Sequence, residues 1–186
     1  MIAALFSFAV AVVPVDDVSV AGSVGVDEGA GAVFDVVAAA KPVFGGAFIP
    51  YVDANFGVRG QRLTVKGGLQ LRHDVCPGFA IVGRGAVGGL VASSDAEFGA
   101  TAGVDIDALF IFGGVVVFVG PAIDGAIAAK DGRVGLGGHG GVVVPIGDHV
   151  DVFVEGAGTY DVGGVFGADS AGGIATVADI GVRLRL

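Results

Sequence analysis

The chain has 186 residues, of which 53% are hydrophobic and 16% are charged, and its formal net charge is -9. The acid excess argues against nucleic-acid binding, which requires a dominant basic surface, and a single cysteine excludes a disulfide within the chain. The chain lacks a run of about 18 apolar residues free of charge and proline, which argues against a spanning helix.

Residues 1–15, MIAALFSFAVAVVPV, allow two interpretations. They have the apolar body of a signal peptide, with a cleavage-like triplet at Ala9, Val10 and Ala11, although no cation precedes them. They also alternate like a first strand that has Phe6 and Phe8 on one face. We predict that they are either a signal-peptide remnant or the first strand, and that residues 16–186 form a single β-barrel domain.

From residue 18 onward, nearly every segment alternates with a period of two, which is typical of strands. The predicted strands cover residues 18–26, 32–40, 43–58, 61–74, 79–91, 98–106, 109–120, 124–130, 133–144, 150–160 and 174–186. Residues 109–120 are apolar on both faces, so the pattern does not tell which face is which. Because single-chain bacterial barrels have an even strand number, about eleven segments indicate ten or twelve strands, with eight longer strands also possible.

The clearest segment is QRLTVKGGLQLRHD at residues 61–74. One face carries leucines and a valine, and the other carries three cations, Arg62, Lys66 and Arg72. A helix would mix these two sets because it turns every 3.6 residues.

Charged residues of both signs share one face of each predicted strand. Placing them toward lipid would cost about 2–4 kcal/mol for each Arg or Lys near the mid-plane, so we expect them to face the lumen and to pair there. This lumen-facing set comprises Asp35, Asp53, Arg62, Lys66, Arg72, Arg84, Glu97, Asp105, Asp124, Arg133, Asp151, Glu155, Asp179, Arg183 and Arg185.

The opposite faces are apolar and are expected to contact lipid. The clearest members of this lipid-facing set are Leu63, Val65, Leu69, Leu71, Val152, Val154, Ile180, Val182, Leu184 and Leu186. A water-soluble barrel would reverse the two faces, but its wet surface would then consist mostly of Gly, Ala, Ser and Thr, which leaves strand surfaces prone to association. The pattern therefore favours an all-β, antiparallel, up-and-down transmembrane barrel.

The whole-length alternation and the final strand, IGVRLRL from Ile180 to Leu186, resemble the small bacterial outer-membrane β-barrel proteins, the superfamily of outer membrane protein A and its porin-like relatives. The resemblance implies a bacterial outer-membrane location and recognition of the C-terminal strand by the barrel-assembly machinery. The chain departs from these proteins by ending in Leu186, and by having no Trp and only two Tyr for the aromatic girdles.

Catalytic and metal-binding motifs are weak. The three histidines have no metal-ligand spacing, and the loop serines lack the GxSxG context of a nucleophile. His139 is placed on the inner face, where a packing role is favoured over a part in a polar network. Cys76 is interpreted as an incidental thiol next to Pro77. We therefore predict no enzyme activity, no cofactor and no metal.

Three functions remain open at this stage. The favoured one is an integral outer-membrane barrel with a structural or small-solute pore role and a narrow lumen lined by paired charges. The second is a soluble or periplasmic barrel that binds an apolar ligand as lipocalins do. The third is a lipid-modifying barrel enzyme, while the oligomeric state is undetermined.

Overall fold

The computed structural model describes residues 18–27, 31–44, 47–58, 61–92, 97–128, 131–164 and 173–186, apart from the side chains of residues 92, 97, 128, 131, 163 and 164. The segment 1–15, predicted as a signal remnant or first strand, lies outside the described residues. In the described part of the chain, we find no helix with the length and apolar character needed to cross a membrane.

Ten antiparallel strands close into one barrel, in which each strand pairs with its neighbours in sequence and β1 pairs with β10. The strands are β1 (Ser19–Asp27), β2 (Gly31–Ala39), β3 (Phe48–Gly57), β4 (Arg62–Cys76), β5 (Phe79–Ala92), β6 (Glu97–Phe112), β7 (Val115–Ala128), β8 (Asp131–Pro145), β9 (Val150–Gly164) and β10 (Ile174–Arg185). The prediction of an all-β antiparallel barrel with about ten to twelve strands is confirmed.

The structure has ten strands where eleven segments were predicted, and the difference arises within β6 and β7. Segments 98–106, 109–120 and 124–130 merge into β6 and β7, because Gly113 and Gly114 form a two-residue hairpin turn inside the run that was apolar on both faces. Both glycines have positive φ, 58° and 92°, as a type I′ turn requires. This turn divides a run that the hydrophobic pattern alone could not divide.

The two ends of the barrel differ. Val18, Leu186 and the C-terminal ends of β2, β4, β6 and β8 lie at the terminus end, whereas β1, β3, β5, β7 and β9 reach their C-terminal ends at the opposite end. The predicted loop at residues 73–78 is shorter in the structure, since β4 continues to Cys76 and only Pro77 and Gly78 form the turn.

The interior near the terminus end is a close-packed apolar cluster, which we call the apolar plug. It consists of Ala21, Val37, Ala39, Ile49, Tyr51, Ala80, Val82, Leu109, Val116, Phe118, Val143 and Phe153. A barrel of this strand number is narrow enough for inward side chains to fill it. The plug therefore supplies a hydrophobic core at one end of the barrel.

Glycines make room for three inward aromatic side chains of the described chain. Each of these rings lies beside the glycine paired with it on the next strand, namely Tyr51 with Gly68, Phe118 with Gly141, and Phe153 with Gly181. A ring that covers a cross-strand glycine shields its backbone and fills the space that a side chain would take. Glycine at these positions is thus required by space.

Replacing Gly181 by alanine tests this packing. The new Cβ would overlap Cζ of Phe153 and the Gly22 carbonyl oxygen, so we expect Gly181→Ala to lower the free energy of unfolding by about 1–3 kcal/mol. Gly158→Ala on β9 is the control, because nothing lies within 4 Å of its Cβ position, and it should change stability by about 0.5 kcal/mol or less. Urea unfolding would measure both, and equal stability of the two variants would contradict the packing argument.

Candidate functional site

The barrel interior is the candidate site, because it collects most of the charged side chains. Of the predicted lumen-facing set, Asp35, Asp53, Lys66, Arg84, Asp124, Asp151, Glu155, Asp179 and Arg183 are buried. Arg62, Arg72, Asp105, Arg133 and Arg185 are half-buried, and the side chain of Glu97 is outside the described part. The charged face of the strands is therefore the inner face of the barrel, while its role as a lumen in a membrane stays a prediction.

A layer of charge lies directly against the apolar plug. Along a strand, the next inward side chain is two residues away. On five strands, the inward residue next to a plug residue is ionisable. These plug and charge neighbours are Val37 with Asp35, Tyr51 with Asp53, Val82 with Arg84, Leu109 with Asp107, and Phe153 with Glu155. The interior thus changes from apolar to ionic within one residue step on several strands.

Arg84 is the centre of this layer. Its Nε donates to Oδ1 of Asp105 at 2.6 Å, and its Nη2 donates to Oδ2 of Asp107 at 2.5 Å. His139 Nε2 lies 2.6 Å from Oδ1 of Asp107 and 3.1 Å from Nη2 of Arg84. The Arg84 cluster therefore joins β5, β6 and β8 through charge-assisted hydrogen bonds, which are stronger than neutral ones.

Smaller ion pairs lie toward both ends. At the terminus end Asp151 binds Arg183 at 2.6 Å and Arg185 at 3.2 Å, joining β9 and β10. At the opposite end Arg133 lies 3.3 Å from Asp161. These pairs fasten neighbouring strands close to the barrel rims.

Not every inner carboxylate is matched by a cation, in contrast to the predicted lining of paired charges. Lys66 Nζ lies 3.9 Å from Oδ1 of Asp124, across the interior from β4 to β7. Oδ1 of Asp53 and Oδ2 of Asp124 are buried without a hydrogen-bond partner among the described residues, and the carboxyl groups of Asp35 and Asp53 interact with each other. We call Asp35, Asp53, Lys66 and Asp124 the acidic chamber.

The outer face is apolar along every strand. The predicted lipid-facing residues are exposed, with Leu69 at 50% and Ile180 at 59% of full exposure, except that Val152 is half-buried. The exposed members of that set are Leu63, Val65, Leu69, Leu71, Val154, Ile180, Val182, Leu184 and Leu186. The barrel therefore presents large hydrophobic side chains outward and ionised ones inward, and contact with lipid stays a prediction.

Outward aromatic side chains gather near the two ends of the barrel. Toward the terminus end, Phe44 and Phe48 meet edge to face at 6.1 Å, and Phe79 and Phe110 lie 5.3 Å apart. Phe112 is the last residue of β6. The described rings at the terminus end thus form one aromatic group.

A second aromatic group lies toward the opposite end. Phe34 pairs with Phe56 across β2 and β3, Phe98 is the second residue of β6, and Tyr160 pairs with Ile174, the first residue of β10. Two aromatic bands separated by aliphatic side chains are the arrangement of membrane barrels at their two interfaces. In this chain the exposed rings near the two ends are mostly Phe, with Tyr160 as an exposed tyrosine.

Two inner residues were missed or misjudged from the sequence. Asp107 is absent from the predicted set although it follows Asp105 by two residues and so shares its face; the alternation alone would have found it. His139 was expected to pack, and its ring does meet that of Phe118 edge to face at 6.0 Å, but its Nε2 belongs to the Arg84 cluster.

Asp105, Asp107 and His139 bring ligand-type atoms within 4.8 Å of one another. Two carboxylates and an imidazole are donors that a transition metal accepts. The guanidinium of Arg84 already donates hydrogen bonds to both carboxylates and lies 3.1 Å from the imidazole. A metal ion would have to displace this cation, so the arrangement fits an arginine-centred network better than a metal centre.

The sequence matches no protein-family model and no curated protein. Among solved structures, the fold is similar to that of a KdgM porin in complex with disordered oligogalacturonate, with a TM-score of 0.48, 9% sequence identity, and coverage of 90% of this chain and 99% of that chain. It is also similar to a bacterial polysaccharide outer membrane secretin, with a TM-score of 0.35, 9% identity, and coverage of 93% and 100%. Both similarities are weak, and the barrel topology is established by the strand pairing of this chain. Neither structure is evidence for membership of the outer membrane protein A superfamily.

Removing the Arg84 side chain charge tests the central cluster. Arg84→Met leaves Asp105 and Asp107 without their shared cation, and breaking a buried pair in this way costs about 3–5 kcal/mol of stability. The Arg84→Met, Asp105→Asn, Asp107→Asn triple variant should recover part of that loss, because fewer uncompensated charges remain.

The matched control is Arg72→Met at the barrel rim. Its partner Asp74 is largely exposed, so losing this pair should cost about 1 kcal/mol or less. Urea unfolding of all three variants is the measurement. Equal losses for Arg84→Met and Arg72→Met would contradict a buried, cation-centred network.

Proposed function

We propose that the chain is an integral β-barrel of a bacterial outer membrane with a structural or narrowly restricted small-solute role. The observation that carries this proposal is the inside-out distribution of side chains around a closed barrel. Large apolar residues such as Leu69 and Ile180 are outward and exposed, while Arg84 and Asp53 are inward and buried.

The energetics of this distribution favour lipid as the surrounding medium. A water-soluble monomer rarely exposes an apolar patch of more than a few hundred Å², whereas here every strand contributes outward Val, Leu, Ile or Phe. Closure of β1 on β10 pairs the backbone groups that a sheet edge would leave free, and a closed barrel is one of the two folds that satisfy the backbone within a bilayer. The two aromatic groups mark where the interfaces would lie.

The interior argues for a closed barrel rather than a wide channel. The apolar plug fills the terminus end, and the acidic chamber borders a cavity of about 20 Å³. A structural role, or passage of very small solutes after rearrangement, fits the interior best.

The soluble lipocalin-like alternative would require the reverse arrangement. Such barrels line their interior with apolar side chains around a ligand and turn polar side chains toward water. Here the middle of the interior carries Arg84, Asp107 and His139 within one hydrogen-bonded cluster. We therefore do not favour an apolar ligand inside the barrel.

The proposal includes two partners. The bilayer would surround the outer face, and the barrel-assembly machinery would recognise β10, where Ile180, Val182 and Leu184 alternate outward. We propose no catalytic role and no cofactor. The oligomeric state is left out of the proposal.

The membrane location predicts a depth-dependent cost for an outward arginine. Leu69 is at the middle of β4, while Val75 on the same face is two residues from the turn and equally exposed, at 50%. Leu69→Arg should lower the free energy of unfolding in lipid vesicles by about 2–4 kcal/mol, and Val75→Arg by about 0–1 kcal/mol.

Folding into vesicles is followed by the faster migration of the unheated barrel in gel electrophoresis and by urea titration. The wild-type chain should require detergent or lipid to stay soluble when folded. A folded, monomeric chain in buffer without detergent, or equal small effects of both arginines, would contradict the membrane proposal.

A further inference from the structure

The acidic chamber is built from strands on different sides of the barrel. Asp53 and Lys66 are direct cross-strand neighbours of β3 and β4, and Lys66 reaches across the interior to Asp124 on β7. Asp35 on β2 lies within electrostatic reach of both Asp53 and Lys66. Four strands thus direct ionisable groups to one place.

The charges in this chamber do not balance. Three carboxyl groups, those of Asp35, Asp53 and Asp124, surround one ammonium, that of Lys66, and the Arg84 guanidinium also acts on Asp53. Asp105 borders the same space, but its carboxylate accepts a hydrogen bond from Arg84, which it shares with Asp107. Uncompensated buried charge costs several kcal/mol per ion, so the chamber favours an additional positive charge.

Unused acceptor atoms surround a cavity at this point. The cavity measures about 20 Å³, and its polar lining consists of Tyr51, Asp53, Lys66, Asp105 and Asp124. Asp53 and Asp124, which are 1% and 4% exposed, each have one carboxylate oxygen without a hydrogen-bond partner in the described structure. The cavity therefore combines space for a ligand with hard oxygen donors that no described group uses.

The size of the cavity limits the ligand. A space of about 10–15 Å³ holds one water-sized particle, so about 20 Å³ admits a single ion that has shed its hydration shell. Mg²⁺ loses its water reluctantly and demands near-ideal octahedral geometry, which disfavours it in this cavity. A small monovalent cation meets both the volume and the donor set.

We propose that the acidic chamber binds one small monovalent cation, such as Na⁺ or K⁺, between Asp53 and Asp124. The ion supplies part of the positive charge that Lys66 alone does not provide. The site depends on the geometry of the barrel interior and does not depend on the proposed membrane location. The alternatives are that the cavity holds only a water molecule, or that an extra proton neutralises one of the carboxylates.

The experiment measures thermal unfolding of the purified chain in detergent micelles, in NaCl, KCl and choline chloride at equal ionic strength and pH. Choline is too large for the cavity and serves as the reference cation. At a concentration a hundredfold above the dissociation constant, the bound ion should raise the midpoint by roughly 5–10 °C relative to choline. Equal midpoints in all three salts would overturn the proposal, since water or a proton would then suffice.

Variants locate the effect. Asp53→Asn keeps the shape of the side chain but removes a charge, and it should abolish the difference between NaCl and choline chloride. Asp148→Asn, in the exposed turn between β8 and β9, is the control and should retain the full difference. An undiminished effect in Asp53→Asn would overturn the site, and stabilisation by Mg²⁺ or Ca²⁺ alone would overturn its monovalent character.

Wild-type protein provides a second readout in case Asp53→Asn fails to fold. The ²³Na resonance should broaden in the presence of the folded chain and narrow again when KCl, but not choline chloride, is added. An unbroadened resonance together with equal midpoints contradicts the proposal. Neither readout depends on insertion of Leu69→Arg into vesicles, so failure of the cation site and failure of the membrane role are distinguishable.

Discussion

The pairing of β1 with β10 is the constraint on which the rest of the structure depends. Because side chains alternate with a period of exactly two, a shift of one residue at any strand pair would exchange its inner and outer faces. Closure links ten such pairs in a ring, so each register is held by both neighbours. At the closing pair, Ala21 faces Arg183 and Gly25 faces Asp179, which keeps the acid and the arginine of β10 on the inside.

Given this closure, the interior is divided along the barrel axis into zones of different character. The apolar plug excludes water near the terminus end, and the Arg84 cluster lies against it. Hydrogen bonds among charged groups are stronger in such surroundings, but an unmatched charge there is also more costly. The same low-dielectric setting therefore stabilises Arg84 among its acids and makes the acidic chamber a place where a cation is favoured.

Much of the architecture was predictable from alternation alone. The segment 61–74 corresponds to β4, and the inner and outer residues of β10 follow the pattern residue by residue. The pattern could not assign the two faces of a strand where the apolar plug makes the inner face as apolar as the outer face. Leu109 and Val116 are inside while Phe110 and Val117 lie on the outer face, so residues 109–120 showed no contrast.

Partner choice inside the barrel was also beyond sequence reasoning. A pattern places Lys66 and Asp124 on inner faces, but the distance between β4 and β7 across the barrel depends on strand number and tilt. The place of His139 on the inner face predicts a packing role, whereas its polar partners come from β5 and β6. The incomplete neutralisation of the carboxylates likewise emerges only when all the strands are assembled.

The assignment of sides is tested most directly by a nitroxide scan of β4 in lipid vesicles, in a Cys76→Ala background with single cysteines at positions 63–71. Oxygen concentrates in lipid, so its collision rate with the label reports lipid contact. The account predicts high oxygen accessibility at odd positions such as Leu63, Val65 and Leu69, and low accessibility at even ones such as Thr64, Lys66 and Gln70. A reversed alternation, or uniform access to a water-soluble relaxation agent along the strand, would contradict it.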